Sequence, residues 1–163
     1  MGNEMQIRLA TPEDAETIST LNMDVQRIHA EAFPHLFKPP SPEAFPAWMI
    51  RDWLAYPENY IYLGCLDGQA IGYIYVEVRH QPETSSKYAM DSVYVHQMSL
   101  RPEYQSQGYG QKLMEAVKDL AREKGIGTIA LDVWSFNTQA KTFYQKQGFV
   151  NYNERMWLEL TDS

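Results

Sequence analysis

The segment with the clearest chemical content runs His96-Gln97-Met98-Ser99-Leu100-Arg101-Pro102-Glu103-Tyr104-Gln105-Ser106-Gln107-Gly108-Tyr109-Gly110-Gln111-Lys112-Leu113. An apolar, strand-like run passes through a short loop into an amphipathic, helix-like run, with two glycines at the helix start. A helix N-terminus offers unpaired N–H groups and a partial positive charge, and glycines there remove side chains that would keep a pyrophosphate from the backbone. The chemistry this arrangement suits is the holding of a phosphate-bearing cofactor. Two familiar phosphate loops do not fit. A P-loop needs Gly-Lys-Ser/Thr, and Gly110 is followed by Gln111; a dinucleotide fingerprint needs a third glycine where Leu113 stands.

The elements that must position this loop are legible on both sides. Met5–Leu9 alternates as a half-buried strand does, and Thr11-Pro12-Glu13-Asp14 carries the marks of a helix start. That helix bears Ala15, Ile18, Leu21, Met23, Val25 and Ile28 and ends before the four prolines between Pro34 and Pro42. A second helix is predicted from Pro42 or Glu43 to Leu54. Tyr60–Leu66 and Ala70–Val78 flank Asp67-Gly68, an antiparallel hairpin signal. His80–Lys87 reads as loop, Ser92–Leu100 as a third strong strand, and Leu113, Val117 and Leu120 as the buried stripe of a helix reaching about Lys124. Thr128–Trp134 is β-rich, Thr138–Gln147 helix-like, and Val150–Leu160 a terminal strand or hairpin. The order β-α-α-β-β-β-α-β-α-β predicts a mixed α/β (α+β) fold, with residues 1–163 as a single domain.

With these pieces in order, Gln105-x-x-Gly108-x-Gly110 after Met98-Ser99-Leu100 resembles the acetyl-coenzyme A motif of the Gcn5-related N-acetyltransferase (GNAT) family. Asn137-Thr138-Gln139-Ala140-Lys141-Thr142-Phe143-Tyr144-Gln145-Lys146-Gln147-Gly148-Phe149 is similar to that family's Asn-x-x-Ala-x-x-Phe-Tyr-x-x-x-Gly-Phe segment. The resemblance is sharp over roughly residues 92–150. It implies a mixed, mostly antiparallel sheet with splayed central strands and flanking helices, and transfer of an acetyl group from acetyl-coenzyme A to a primary amine by direct attack in a ternary complex, with no metal. The alternative is a coenzyme A-binding sensor that does not turn over.

The resemblance also distributes roles. It implies backbone contacts to the cofactor from Met98, Ser99 and Leu100, and pyrophosphate contacts from the amides of Gln105, Ser106, Gln107, Gly108, Tyr109, Gly110 and Gln111. Asn137 matches a residue that bonds the pantetheine arm, although an Asn before a helix also serves as a cap. Tyr144 matches a tyrosine that protonates the departing thiolate; a phenol's ordinary pKa of about 10 suits that exchange. The amine must also lose a proton before attack. Histone-modifying relatives use a glutamate where this chain has Tyr94, and relatives acting on arylalkylamines carry histidine at a position matching His96, which becomes the candidate base, with Glu77 or a water chain as alternatives. The variable region, containing His29, Glu31, His35, Phe37, Trp48, Trp53 and Tyr56, is where the family builds its acceptor site.

Composition narrows the partners. With 14 Lys plus Arg against 21 Asp plus Glu, the net charge is -7, and no basic cluster suggests nucleic acid. A single Cys65 in an apolar run excludes an intramolecular disulfide and reads as a core residue of a protein in a reducing cytoplasm. His29 and His35 lack the further partners of a metal site. Neither a signal-type start nor an apolar run of membrane-spanning length is present, so a small-molecule amine is the expected partner and no membrane is. Dimers are frequent in the family, so a homodimer is compatible, though no residue here fixes the assembly.

Overall fold

The computed structural model describes residues 4–161. The chain divides into two compact units, a larger one ending at Asp132 and a smaller one beginning at Val133. The larger unit holds strands β1 (Gln6–Leu9), β2 (Asn59–Leu66), β3 (Gln69–Gln81), β4 (Met90–Leu100) and β5 (Ile129–Leu131), and helices α1 (Ala15–Ala32), α2 (Ala47–Ala55) and α3 (Tyr109–Glu123). The strands form one sheet in the order β1-β2-β3-β4-β5, antiparallel except for the parallel β4–β5 pair. The mixed α/β fold expected from the sequence is therefore observed.

Local chemistry explains the turns. Asp67 and Gly68 both have positive φ, 50° and 79°, the backbone that a two-residue hairpin between right-twisted strands requires. Asp14 accepts two hydrogen bonds at 2.8 Å from the Arg8 guanidinium and one at 2.8 Å from the Thr11 amide, so a single carboxylate ties β1 to the turn that opens α1. α3 ends where Gly125 takes φ 67° and the Ile126 amide reaches back to the Ala121 carbonyl, a glycine stop of the Schellman kind.

Two layers cover the sheet. Ile18, Leu21 and Ile50, from α1 and α2, share a core with Ile61, Leu63, Tyr73 and Tyr75 on one face. α3 packs against β2, β3 and β4 through Leu113, Met114, Val117 and Leu120, and Tyr62, adjacent to Ile61 in β2, lines a groove with α3 on the opposite face. Cys65 is buried, as a small core residue should be. Buried polar groups fasten α1 to β3 and β4. Asn22 Nδ2 donates to Tyr73 Oη at 3.0 Å, Tyr73 Oη donates to Gln97 Oε1 at 2.8 Å, and Ser99 Oγ donates to the Leu21 carbonyl at 2.7 Å. Burial pushes the Tyr73 hydroxyl pKa well up, so it stays a donor.

The smaller unit contains α4 (Thr138–Lys146). Asn137 caps it, its side chain accepting from the Ala140 amide at 3.2 Å. Gly148 has φ 100°, and the Phe149 amide bonds the Tyr144 carbonyl at 3.0 Å, so the Gly-Phe dipeptide is a helix stop. Four sequence expectations fail in detail. His80 and Gln81, expected in a loop, extend β3 by pairing with Asp91 and Met90. The second helix starts at Ala47, because the turns and prolines up to Pro46 delay it. β5 covers Ile129–Leu131 rather than residues 128–134. Residues 149–161 form no strand or hairpin, since alternation alone supplies no pairing partner. Among the described residues no helix is long and apolar enough to cross a membrane.

Two consequences can be measured. A Cβ on Gly72 would stand 2.6 Å from the Ser99 carbonyl oxygen and 2.8 Å from Leu100 Cδ1, so Gly72→Ala is expected to destabilise the protein by about 1–3 kcal/mol in chemical denaturation. The Asp14 pKa is lowered from 3.8 to about 2, first by the hydrogen bond from Arg8. Its folded value lies below the unfolded one, so its contribution is complete above pH 4 and disappears as pH falls toward 2. Because Arg8 is half exposed, that contribution is discounted to about 1 kcal/mol. Asp14→Asn should lose it at pH 7 and show a flatter stability profile between pH 4 and 2.

Candidate active site

The site is built on a departure from regular pairing. In the β3–β4 ladder Tyr75 faces Gln97 and Val76 faces Val95, leaving His96 as the extra residue of a β-bulge. A bulge breaks the strict alternation of side chains. His96 and Gln97 therefore both address the α1/α2 face, where Gln97 meets Tyr73 and Asn22 and His96 stacks on Tyr75.

His96 Nε2 lies 2.8 Å from Glu77 Oε1. A carboxylate can only accept, so the neutral imidazole donates from Nε2 and keeps its lone pair on Nδ1. Glu77 also accepts from Arg79 Nε at 3.1 Å. Burial pushes the Glu77 pKa up, but the hydrogen bonds from His96 and Arg79 outweigh it and the net shift is downward, so the carboxylate stays ionised. Both side chains remain about a quarter exposed, at 27% for His96 and 23% for Glu77.

Aromatic rings hold the imidazole in place. Trp53 of α2 stacks on Tyr75 with centroids 4.8 Å apart, Tyr75 stacks on His96 at 4.6 Å, and Tyr94 meets His96 edge-on at 4.9 Å. Arg79 sits 3.7 Å over the Tyr94 ring, and the Tyr94 hydroxyl donates to Asp132. Burial, helped by the Glu77 charge, pushes the Tyr75 pKa up to about 12.

Just beyond the bulge β4 loses its second neighbour. Its parallel pairing with β5 ends at Val95↔Leu131, whereas pairing with β3 continues to Leu100. Met98, Ser99 and Leu100 thus run along a splayed edge. The Val93 amide donates to the Thr128 carbonyl on the β5 side, and alternation shifted by the bulge passes that outward-facing backbone role to Met98 and Leu100. The Ser99 side chain is committed to α1 through Leu21.

The chain then turns into α3. Ser106 and Gly108 have φ 62° and 89°, and Gly108 is the N-cap. Gln105 Nε2 donates to the Leu100 carbonyl at 2.9 Å and Gln107 Nε2 to the Glu103 carbonyl at 2.8 Å, so these side chains shape the loop. The first helical hydrogen bond is Lys112 N to Gly108 O at 3.3 Å, which leaves the Tyr109, Gly110 and Gln111 amides ahead of the helical ladder. Nothing stands within 4 Å of a Cβ built on Gly108. A diphosphate fits such an open, amide-lined start.

His96, Met98, Ser99, Leu100 and Gln105–Gln111 are thus consecutive parts of one strand–turn–helix. Asn137 and Tyr144 belong to the smaller unit, at the cap and in the last part of α4. There Tyr144 packs edge-on against Phe143 and Phe149, with centroids 5.4 and 5.6 Å apart. Burial pushes its pKa up to about 12. Of the acceptor candidates, Trp53 joins the His96 stack. His29 bonds the Val25 carbonyl at 2.8 Å and edges against Phe37, while Trp48 and Tyr56 are 64% and 51% exposed. Tyr75 and Arg79 escaped the sequence reading. Their signal was the alternation Tyr73, Tyr75, Glu77, Arg79 along β3, which sets them on one face with Glu77.

Comparison with known proteins bears on the fold and the family. A relative in Lactobacillus delbrueckii subsp. lactis, the uncharacterized N-acetyltransferase in the pepI 3' region, is 26% identical over 105 residues, covering 64% of this chain and 60% of that protein. The match thus spans less than two thirds of that relative's length. The structure of the tetramutant of BH1408 protein from Bacillus halodurans superposes with a TM-score of 0.91 at 22% identity, over 96% of this chain and 100% of that one. The aminoglycoside N-acetyltransferase AAC(6')-Iy in complex with CoA gives 0.73 at 20% identity, over 98 and 97%. At such identities the two structures establish the fold alone. Residues 22–149 match the profile of the Acetyltransferase (GNAT) family, a stretch that takes in strands β2 to β5, the glycine turn and α4, and the chain belongs to that family.

Proposed function

We propose that the protein transfers an acetyl group from acetyl-coenzyme A to a primary amine within a ternary complex, with residues 1–163 acting as one catalytic domain. The family match running from residue 22 to 149 across both compact units supports that extent. The observation that carries the reading is the His96–Glu77 pair, 2.8 Å apart, two residues upstream of the splayed Met98–Leu100 edge. A coenzyme A-binding sensor that does not turn over requires no proton acceptor beside that edge.

Bound acetyl-coenzyme A supplies the activated acyl thioester. The amides of Gln105–Gln111 bind its diphosphate, and the Met98–Leu100 backbone aligns the pantetheine arm, with Asn137 assisting from its side-chain amide. Glu77 fixes the imidazole tautomer, and His96 Nδ1 takes the proton that the attacking ammonium must lose, directly or through one water. The amine nitrogen forms a bond to the acetyl carbon, backbone amides stabilise the oxyanion, and the carbon–sulfur bond breaks as the nitrogen releases its second proton to water, which returns a proton to Tyr144 after it has served the thiolate. Tyr144 donates its hydroxyl proton to the leaving thiolate; the match of Phe143-Tyr144 to the family motif supports this role. No metal takes part. The acceptor is a small-molecule amine or the amine of a peptide, and the reaction suits a cytoplasmic enzyme.

The test is thiol release from acetyl-coenzyme A against a panel of amines, with calorimetric binding of coenzyme A alongside. Turnover with at least one amine is expected. His96→Ala should lower kcat about 100-fold, and Glu77→Gln by a smaller factor with little change in KM; wild-type kcat in His96→Ala would remove the imidazole from the mechanism. Tyr144→Phe should retain coenzyme A binding while kcat falls about 100-fold. Tight coenzyme A binding with no acetylation of any amine would favour the sensor instead.

A further inference from the structure

Arg79 has binding capacity that holding Glu77 does not use. It follows Glu77 by two residues along β3, and Tyr94 pairs with Glu77 from β4, so the three side chains share one face of the sheet. The guanidinium donates to Glu77 Oε1 through Nε at 3.1 Å and rests 3.7 Å over the Tyr94 ring, which its own bond to Asp132 and its edge contact with His96 keep in place. Its terminal nitrogens Nη1 and Nη2 make no hydrogen bond among the described residues, and the side chain is 39% exposed. Tyr94 thus supports the guanidinium plane without neutralising its charge, and leaves a planar fork of donors open. Glu77 is engaged on one side in the same way. His96 Nε2 and Arg79 Nε both donate to Oε1, and Oε2 accepts no hydrogen bond among the described residues.

We infer that the acceptor is an α-amino acid, its ammonium received by Glu77 Oε2 beside His96 and its carboxylate by the Nη1 and Nη2 fork of Arg79. The inference rests on the acetyl-transfer reading and narrows its acceptor. A guanidinium matches a carboxylate in plane and spacing, and one cation suits a monoanion. The 3.1 Å contact between Glu77 and Arg79 sets the two receptors side by side, which suits an amine and a carboxylate on the same carbon rather than at opposite ends of a long chain. A polyamine would bring a second cation against Arg79, and a simple amine would leave the fork to water. In the reaction the α-ammonium gives one proton to His96 Nδ1, the nitrogen bonds the acetyl carbon, the carbon–sulfur bond breaks, and the thiolate is protonated. The second nitrogen proton and then the one on His96 pass to water. The products are an N-acetyl amino acid and coenzyme A.

Thiol release from acetyl-coenzyme A tests this when each common L-α-amino acid is compared with its carboxamide and with the amine that lacks the carboxyl group. For the amino acids that serve as substrates, kcat/KM should exceed that of both analogues about 10- to 100-fold, mostly through KM. Arg79→Gln should bring that preference below about threefold, and Arg79→Lys should keep part of it, since an ammonium restores the charge without the fork. The preference is a ratio within one variant, so it does not depend on how much of that variant is folded. If Arg79 serves only to hold Glu77, Arg79→Gln slows amino acid and analogue alike and the preference survives, which overturns the proposal. Carboxamides or simple amines used as well as the amino acids also overturn it, while acetyl transfer stands. An absence of turnover with every amino acid overturns it too, and the wider amine panel then decides acetyl transfer separately.

Discussion

The β-bulge at His96 is the constraint on which the rest of the larger unit turns. Regular pairing would have sent His96 and Gln97 to opposite faces of the sheet. With one residue unopposed between the Tyr75–Gln97 and Val76–Val95 pairs, both side chains stay on the α1/α2 face, and the backbone downstream changes the edge to which it points. The shift is held from both sides. Below it, Gln97 and Ser99 are bonded into α1 through Tyr73 and Leu21; above it, Glu77 grips the imidazole and Tyr75 and Tyr94 confine the ring. A bulge of this kind costs ladder hydrogen bonds, and the buried polar contacts around it are what keep it in one place.

The same few residues separate two chemical tasks. Side chains on the α1/α2 face, His96 and Glu77, lie about a quarter open to solvent, where an amine can arrive from water. Backbone on the splayed edge, Met98 to Leu100, leads without interruption into the helix start at Gly108. On the proposed function, the proton acceptor and the acyl carrier thus approach one strand from different directions, and their separation is set by covalent geometry rather than by side-chain flexibility. Glu77 fits this picture because it lies on β3, directly in register with Tyr94, and reaches His96 only because the bulge brings the imidazole to its side.

How much of this the sequence disclosed depends on how local the cause was. The hairpin at Asp67-Gly68, the glycine N-cap at Gly108 and the mixed α/β order were readable because each is encoded within a few residues. The Gly-Phe ending of the second family signature proves to be a helix stop, a local device written in sequence. The bulge was not readable, since register is a relation between two strands and the run from Ser92 to Leu100 looks uniformly β-rich. His96 and Glu77 were therefore named as alternatives, and only the pairing of β3 with β4 shows them to be one hydrogen-bonded unit. Tyr75 was missed for the same reason: its ring acts through Trp53 on α2 and His96 on β4, both distant along the chain. Asn137 was legible as a cap.

The segment after α4 shows the limit from the other side. Residues 150–160 announce a strand more plainly than β1 does, with a longer alternation and more apolar material, yet β1 is a strand and the segment is not. The difference is that β1 finds β2 beside it, from Gln6↔Cys65 to Leu9↔Tyr62, and is pinned by Arg8 on Asp14. Strand propensity describes a surface that fits a neighbour, and it has no energetic content until a neighbour is supplied.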